Sequence, residues 1–264
     1  MNRRPARWIL LLVGVVYLLL HLPVLILVVF SFNASRYAVS WTGFTLDWYR
    51  RLAERGDLLV GLERSLLVGA IATVVATGFG TLLALALARR RFRGRRALEG
   101  LLYLPIVTPE IVAGISLLVL FVALGIPLGI VTISIAHIAF NIGFVAVIVR
   151  ARLEGMDQSL EEAALVLGAD EFTAFRTVTV PLLWPGILAG ALLAFILSFD
   201  DYVITSLVAG TGSSTLPIVV YSMVRRNIEP SVNAISTLIL LVTSLGISLA
   251  DRLLREQPLA VARS

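Results

Sequence analysis

Three features of this sequence predict an all-α fold threaded through a lipid bilayer. Of its 264 residues 58% are hydrophobic and only 15% charged, and the mean hydropathy is +0.94. A soluble core of that size does not bury so much apolar surface. The apolar residues are also gathered into runs of about 20, the length that crosses ~30 Å of hydrocarbon at ~1.5 Å per residue with every backbone group bonded within its own helix.

Six such runs are expected as spans, at residues 8–30, 66–88, 101–124, 127–149, 182–208 and 233–250, within one transmembrane domain covering 1–264. The first follows a basic stretch, but its apolar run is too long for a signal peptide and no A-x-A site follows, so it reads as an uncleaved helix. Arginine sets the orientation, because cytoplasmic loops collect basic residues. Arg3, Arg4, Arg7, the six arginines from Arg89 to Arg96, Arg150, Arg152, Arg176, Arg252, Arg255 and Arg263 fall on one side, fifteen in all. Seven fall on the other, namely Arg36, Arg50, Arg51, Arg55, Arg64, Arg225 and Arg226, so both termini are expected in the cytoplasm. The RRRFRGRR run at 89–96 is then a topological signal between two spans, and no nucleic-acid partner is expected. The absence of cysteine excludes disulfides and thiolate metal sites, and no metal site is expected.

Neither of the two longest loops, 31–64 and 150–181, is long enough for a soluble catalytic domain. The first carries Trp41, Phe44, Trp48 and Tyr49, suited to the membrane interface or to partner docking, and a glycosylation-type Asn33-Ala34-Ser35 that is assigned no role. In the second span Ala72, Ala76, Gly80, Ala84 and Ala88 recur every four residues, a face of small side chains that lets another helix approach. The pairs Pro105/Pro109 and Pro181/Pro185 are expected to break or kink helices.

The 150–181 loop is the informative segment. Ser159-x-x-Glu162 has the form of a capping box, Gly168 is placed to end the helix it opens, and Asp170 can cap a second helix from about 171 to 179 that stops at Pro181. The result is a short helix exposing Ala163, Ala164, Leu165 and Leu167 beside Glu161 and Glu162. Glu162-Ala163-Ala164, then Gly168, then Val178-Thr179-Val180-Pro181 resembles the E-A-A, three residues, G, nine residues, I-x-L-P motif of the permease subunits of binding-protein-dependent ABC importers. Val178 and Val180 stand where that family has isoleucine and leucine, both mild apolar changes.

The resemblance implies a type I importer permease with six helices and a cytoplasmic coupling helix between the fourth and fifth spans. Ser159, Glu161, Glu162, Ala163, Ala164, Leu167, Gly168 and Pro181 would be the residues that meet the ATPase. It also implies a homologous second permease, two copies of an ABC ATPase, an extracytoplasmic substrate-binding protein and a place in a bacterial inner membrane. A P-loop needs a lysine to hold phosphates, and this chain has none, so ATP and Mg are expected on the partner ATPase and no cofactor or catalytic residue on this chain.

Over essentially its whole length the chain is similar to the second permease of spermidine/putrescine importers. The segments that carry this likeness are 30–35, Gly43-Phe44-Thr45 with Trp48-Tyr49, Phe92-Arg93-Gly94, Pro109-Glu110-Ile111-Val112, Asp200-Asp201 and 221–224. Glu110 stands where that family often has aspartate. An ionisable group in a span usually faces a pathway or a partner. Glu110, Asp200 and Asp201, with Phe199 and Tyr202, can attract a di- or polycation by charge and cation-π contact. Equally, Asp200 and Asp201 can serve as helix caps or in ion pairs, and Glu110 can bond a partner's helix. His21 and His137 each stand alone in an apolar span, as hydrogen-bonded polar residues or members of a proton relay.

Which solute is carried stays open at this stage, and opines, amino-acid derivatives and other organic cations are alternatives to polyamines. An ion-coupled secondary transporter would also bury carboxylates and histidines, yet it would not need the loop motif. No hydrolase or metalloprotease signature of an intramembrane enzyme is present.

Overall fold

A computed structural model describes residues 7–35, 40–89, 92–226 and 230–255. Of the arginines that set the topology, Arg3, Arg4, Arg36, Arg90, Arg91 and Arg263 lie outside the described residues. The described chain is helical apart from its loops and one isolated bridge between Asn33 and Phe44. It divides into two compact units, one made of residues up to Leu59 together with those from Val220, the other of Val60–Val219.

The first unit contains α1 (Arg7–Phe30), α2 (Asp47–Glu54) and α12 (Pro230–Arg255), and α12 packs against both of the others. The apolar window of α1 has no buried residue, which suits a helix whose solvent is lipid or another helix. Between α1 and α2 the loop folds on Asn33. This fully buried side chain accepts from Ser35 N and Thr42 N at 3.2 and 3.0 Å and donates to Ser40 O at 2.7 Å. Trp48 Nε1 donates to Asn33 O at 2.8 Å, so the asparagine of the glycosylation-type triplet is the hub of the loop. Trp48 is buried and Tyr49 half-buried, bonded to Ser31 Oγ, whereas Trp41 and Phe44 are exposed.

The second unit contains most of α3 (Gly56–Arg89), then α4 (Arg95–Val107), α5 (Glu110–Ala123), α6 (Ile130–Glu154), α7 (Ser159–Val166), α8 (Glu171–Ala174), α9 (Val180–Asp200) and α10 (Val203–Val208). A last helix, α11 (Leu216–Arg226), begins here and continues into the first unit. The centre is α6, which packs against α4, α5, α9 and α10, with Val145, Val149, Leu183, Ala84 and Ala194 in one fully buried cluster. Helices come this close because the contact positions are small. A Cβ at Gly80 of α3 would lie 2.7 Å from Val145 Cβ, and one at Gly190 of α9 would lie 3.2 Å from Val145 Cγ1. On the α4 side, a Cβ at Gly143 would meet Leu102 O at 2.5 Å. Ala72, Ala76, Gly80 and Ala84 of the four-residue repeat are buried, while Ala88 is exposed.

Among the described residues four helices are long and apolar enough to cross a membrane, or five if α4 and α5 count together. The run 101–124 is not one straight helix, because α4 and α5 meet at a 111° bend. Pro109 has no N–H to continue α4 and holds Thr108 in extended backbone (φ −74°, ψ 131°), and α5 then restarts at Glu110. The run 182–208 also differs, with α9 ending at Asp200, Asp201 extended (φ −67°, ψ 124°) and α10 a separate short helix. The described apolar part of α12 is Pro230–Leu245, shorter than a full span.

A further departure concerns Pro181, which does not stop a helix. Residues 171–200 run on continuously through a π-helical turn, Phe175–Thr179, in which Val180 N bonds Phe175 O. In a uniform α register the Pro181 ring would press on the Thr177 carbonyl, and the wider turn relieves this.

Gly80→Ala should lower the thermal unfolding midpoint in detergent, with a loss of about 1–3 kcal/mol from overpacking against Val145. Gly78→Ala on the same helix meets nothing within 4 Å and should leave the midpoint unchanged or higher.

Candidate functional site

Chemistry-bearing side chains gather at two places, the loop between α6 and α9 and the acidic end of α9. The loop opens after Gly155, and Asp157 starts α7 by accepting Ser159 N at 2.9 Å. The expected capping box is therefore not formed, since Asp157, two residues upstream, takes the first free N–H, and Gln158 at the N-cap makes no side-chain bond. Gly168 ends the helix with φ +97°, while Ala169 N bonds Ala164 O at 3.1 Å and Gly168 N bonds Leu165 O at 3.0 Å. A left-handed residue followed by that six-to-one bond is the Schellman arrangement, which a side chain at 168 would strain. Asp170 caps α8 as expected, accepting Thr173 N at 3.1 Å. Bonds from the side chain and backbone of Thr173 hold the Asp170 carboxyl below its usual range, and those from Ser159 do the same for Asp157. Both caps thus stabilise the loop above the ordinary carboxylate range and are lost as the pH falls through the depressed values.

None of the residues of α7 is buried. Val166 and Leu167 are 87% and 88% exposed and Phe172 is 68% exposed, with Leu160 and Leu165 also open. Ser159, Glu162, Ala163 and Gly168 are exposed with them, but Ala164 is half-buried. Glu161, expected beside Glu162 on the open face, instead points inward. Its carboxylate takes both Nη atoms of Arg89, with Nη1 to Oε1 at 2.8 Å, and accepts from Thr179 Oγ1 at 2.9 Å. Arg89 and Thr179 are functional candidates that sequence reasoning missed. In the sequence Arg89 signals only topology, and Thr179 occupies the motif's unspecified x position.

At the far end of α9, Asp201 caps α10. Its carboxylate accepts Ile204 N at 3.3 Å and Thr205 N and Oγ1, both at 2.7 Å, and lies 3.2 Å from His137 Nε2 on α6. Nε2 is also 2.9 Å from Thr205 Oγ1, whose hydrogen already goes to Asp201, so His137 carries a proton on Nε2 and donates it. One turn on, Asn141 Nδ2 donates to Ser198 Oγ at 2.8 Å. His21 differs from His137, because its Nδ1 meets Tyr17 O of its own helix at 2.8 Å and its ring stacks on Tyr17.

Asp200 is exposed and makes no hydrogen bond or ion pair among the described residues, and the same holds for Glu110. Phe199 is half-buried and stacked on Phe195 with centroids 5.7 Å apart, and Tyr202 is half-buried beside Asp201. Glu110 opens α5, the helix that packs on α10, but no hydrogen bond joins it to Asp200 or Asp201.

With the helices and loop in view, residues 76–255 match the family described as the inner membrane component of binding-protein-dependent transport systems. The chain belongs to that family. This permease is 44% identical to the spermidine/putrescine transport system permease protein PotC of Escherichia coli (strain K12), over 90% of each chain. It is 41% identical to the putrescine transport system permease protein PotI of the same strain, over 90% of this chain and 86% of that one. Its fold is similar to a chain in the crystal structure of a bacterial ABC transporter involved in the import of the acidic polysaccharide alginate (TM-score 0.72, 19% identity, 92% of this chain and 93% of that one). The permease thus has an all-helical ABC importer fold and is a membrane transport component.

Asp201→Ala should lower the thermal midpoint of the permease, because it removes the α10 cap and leaves His137 Nε2–H without its carboxylate, a loss of about 1–3 kcal/mol. Asp200→Ala should leave the midpoint within error, and melting curves of the two variants in one detergent make the comparison.

Proposed function

We propose that the chain is the permease subunit through which an ATP-driven type I ABC importer moves polyamines, putrescine and spermidine, into the cell by alternating access. The observation that carries this reading is 44% identity over nine-tenths of the chain to a spermidine/putrescine permease, a level that extends well beyond the loop motif. In this reading the bent α4–α5 pair is the third of six spans, α9 the fifth and α12 the sixth, with both termini and the α6–α9 loop cytoplasmic. A homologous second permease, two ATPase subunits holding ATP and Mg, and an extracytoplasmic binding protein complete the assembly.

α7 is the coupling helix. Val166, Leu167 and Phe172 form an apolar knob beside Glu162, and the exposure of these side chains supports a partner groove that receives them. ATP-driven closure of that partner moves the knob, and the spans open toward the loaded binding protein. At the opposite end of α9, Asp200 and Glu110 carry the attraction for a polycation, since their carboxylates have no partner among the described residues, while Asp201 holds α10 in place and Phe199 and Tyr202 flank the route.

Cells lacking this chain should lose uptake of labelled putrescine or spermidine and regain it when the chain is restored, with uptake stopped by ATP depletion. Rescue of a different organic solute would redirect the substrate, and sensitivity to an uncoupler alone would mark an ion-coupled carrier. Asp200→Asn and Glu110→Gln should each lower uptake with normal assembly. Leu167→Asp should weaken ATPase copurification by about tenfold or more, as expected for a buried apolar anchor.

A further inference from the structure

The exposed face of α7 accounts for how a partner would grip it, but not for how a push on it reaches the membrane. An eight-residue helix with no buried residue is marginal by itself, and it is flanked by two turns, at Gly155 and Gly168, about which it can pivot. A displaced α7 would then swing without moving the spans.

What ties it down is a group of three residues far apart in the chain. Glu161 takes both Nη atoms of Arg89, the last residue of α3; Thr179 Oγ1 donates to Glu161 Oε2 at 2.9 Å; and Arg89 Nη2 lies 3.2 Å from Thr179 Oγ1. The guanidinium also lies over the Phe175 ring, 6.0 Å from its centroid. Thr179 is fully buried and Arg89 and Glu161 are about one-third exposed, so the triangle is partly shielded, and a bidentate charged pair is stiffer than a surface ion pair. Phe175 and Thr179 both belong to the π-helical turn that feeds α9. The triangle therefore joins α7 to the ends of two long helices, Gly56–Arg89 and the continuous 171–200.

We propose that Arg89, Glu161 and Thr179 form a strut that makes α7 one rigid lever with the cytoplasmic ends of α3 and α9, and that these positioning residues carry its displacement into the spans. Within the acidic pair the labour is divided, Glu162 facing the partner and Glu161 facing the strut. The proposal rests on the reading of α7 as the coupling helix.

The test uses the reconstituted complex with its ATPase, second permease and binding protein. The chain has no native cysteine, so the pair Glu161→Cys and Thr179→Cys can be introduced and bridged by a short bis-methanethiosulfonate reagent, with the wild-type chain treated identically as control. Unbridged, the double variant should assemble and hydrolyse ATP at about the wild-type rate while solute moved per ATP falls by about tenfold. Bridging should restore the ratio and reductant should abolish it again, a reversal that a merely stabilising contact would not produce.

If the cysteine pair does not assemble, Glu161→Gln with Thr179→Val, close in shape, should show the same loss of ratio. A normal ratio in either unbridged variant, or a bridged complex that stays uncoupled, overturns the strut. If the wild-type complex itself moves no solute with ATP, the coupling reading fails and the strut with it; if it couples and the variants do too, the strut alone fails.

Discussion

Val145 lies between two glycines, Gly80 of α3 and Gly190 of α9, and the second unit is arranged around that contact. In lipid, burial of apolar surface gives no net drive to bring helices together, because acyl chains are as apolar as leucine. Close packing has to do so, and it needs backbones that approach. α6 meets α3, α4 and α9 at positions with no side chain on one partner, and a Cβ at Gly186 would likewise fall 2.7 Å from Arg152 Cβ. The loop that follows α6 is positioned by this packing, since both helices that bracket it are fixed at their glycines.

The same seam between α6 and α9 holds the polar groups that a bilayer makes expensive. Asn141 bonds Ser198, and His137 bonds Asp201 and Thr205, so these two polar side chains of α6 each find a partner on the facing element. These bonds have a structural consequence at the end of α9. The Asp201 carboxylate takes the N–H groups of Ile204 and Thr205, so the chain turns there and α10 begins. Of two adjacent aspartates, one is committed to architecture and one is left open.

This division explains what was legible in the sequence. Composition and run length establish a membrane-spanning helical chain, and the spacing of Glu162, Gly168 and Pro181 marks the loop, because those features are local or nearly so. Asp201 and Asp200 differ only in what α6 places opposite them, and no local pattern reports that. Likewise Glu161 and Glu162 are neighbours of one type, separated by Arg89 seventy-two positions away. Prolines were legible as interruptions, but Pro109 and Pro181 act differently: the first breaks α4 from α5, and the second is accommodated because the preceding turn widens. The capping box was a local pattern that lost to a nearer acceptor, Asp157.

The π-helical turn at Phe175–Thr179 can be seen as a single extra residue inserted into an α-helix. In an α-helix one more residue would turn everything beyond it by about 100°, at 3.6 residues per turn. The wider turn takes that residue up within itself, so the loop and α9 keep nearly the rotational phase of a helix one residue shorter. In a chimera that grafts a loop from one permease onto the spans of another, a one-residue difference in length here can be absorbed without re-aiming the loop. Removing one residue would leave the loop facing the same way and return the Pro181 ring to the carbonyl four residues before it.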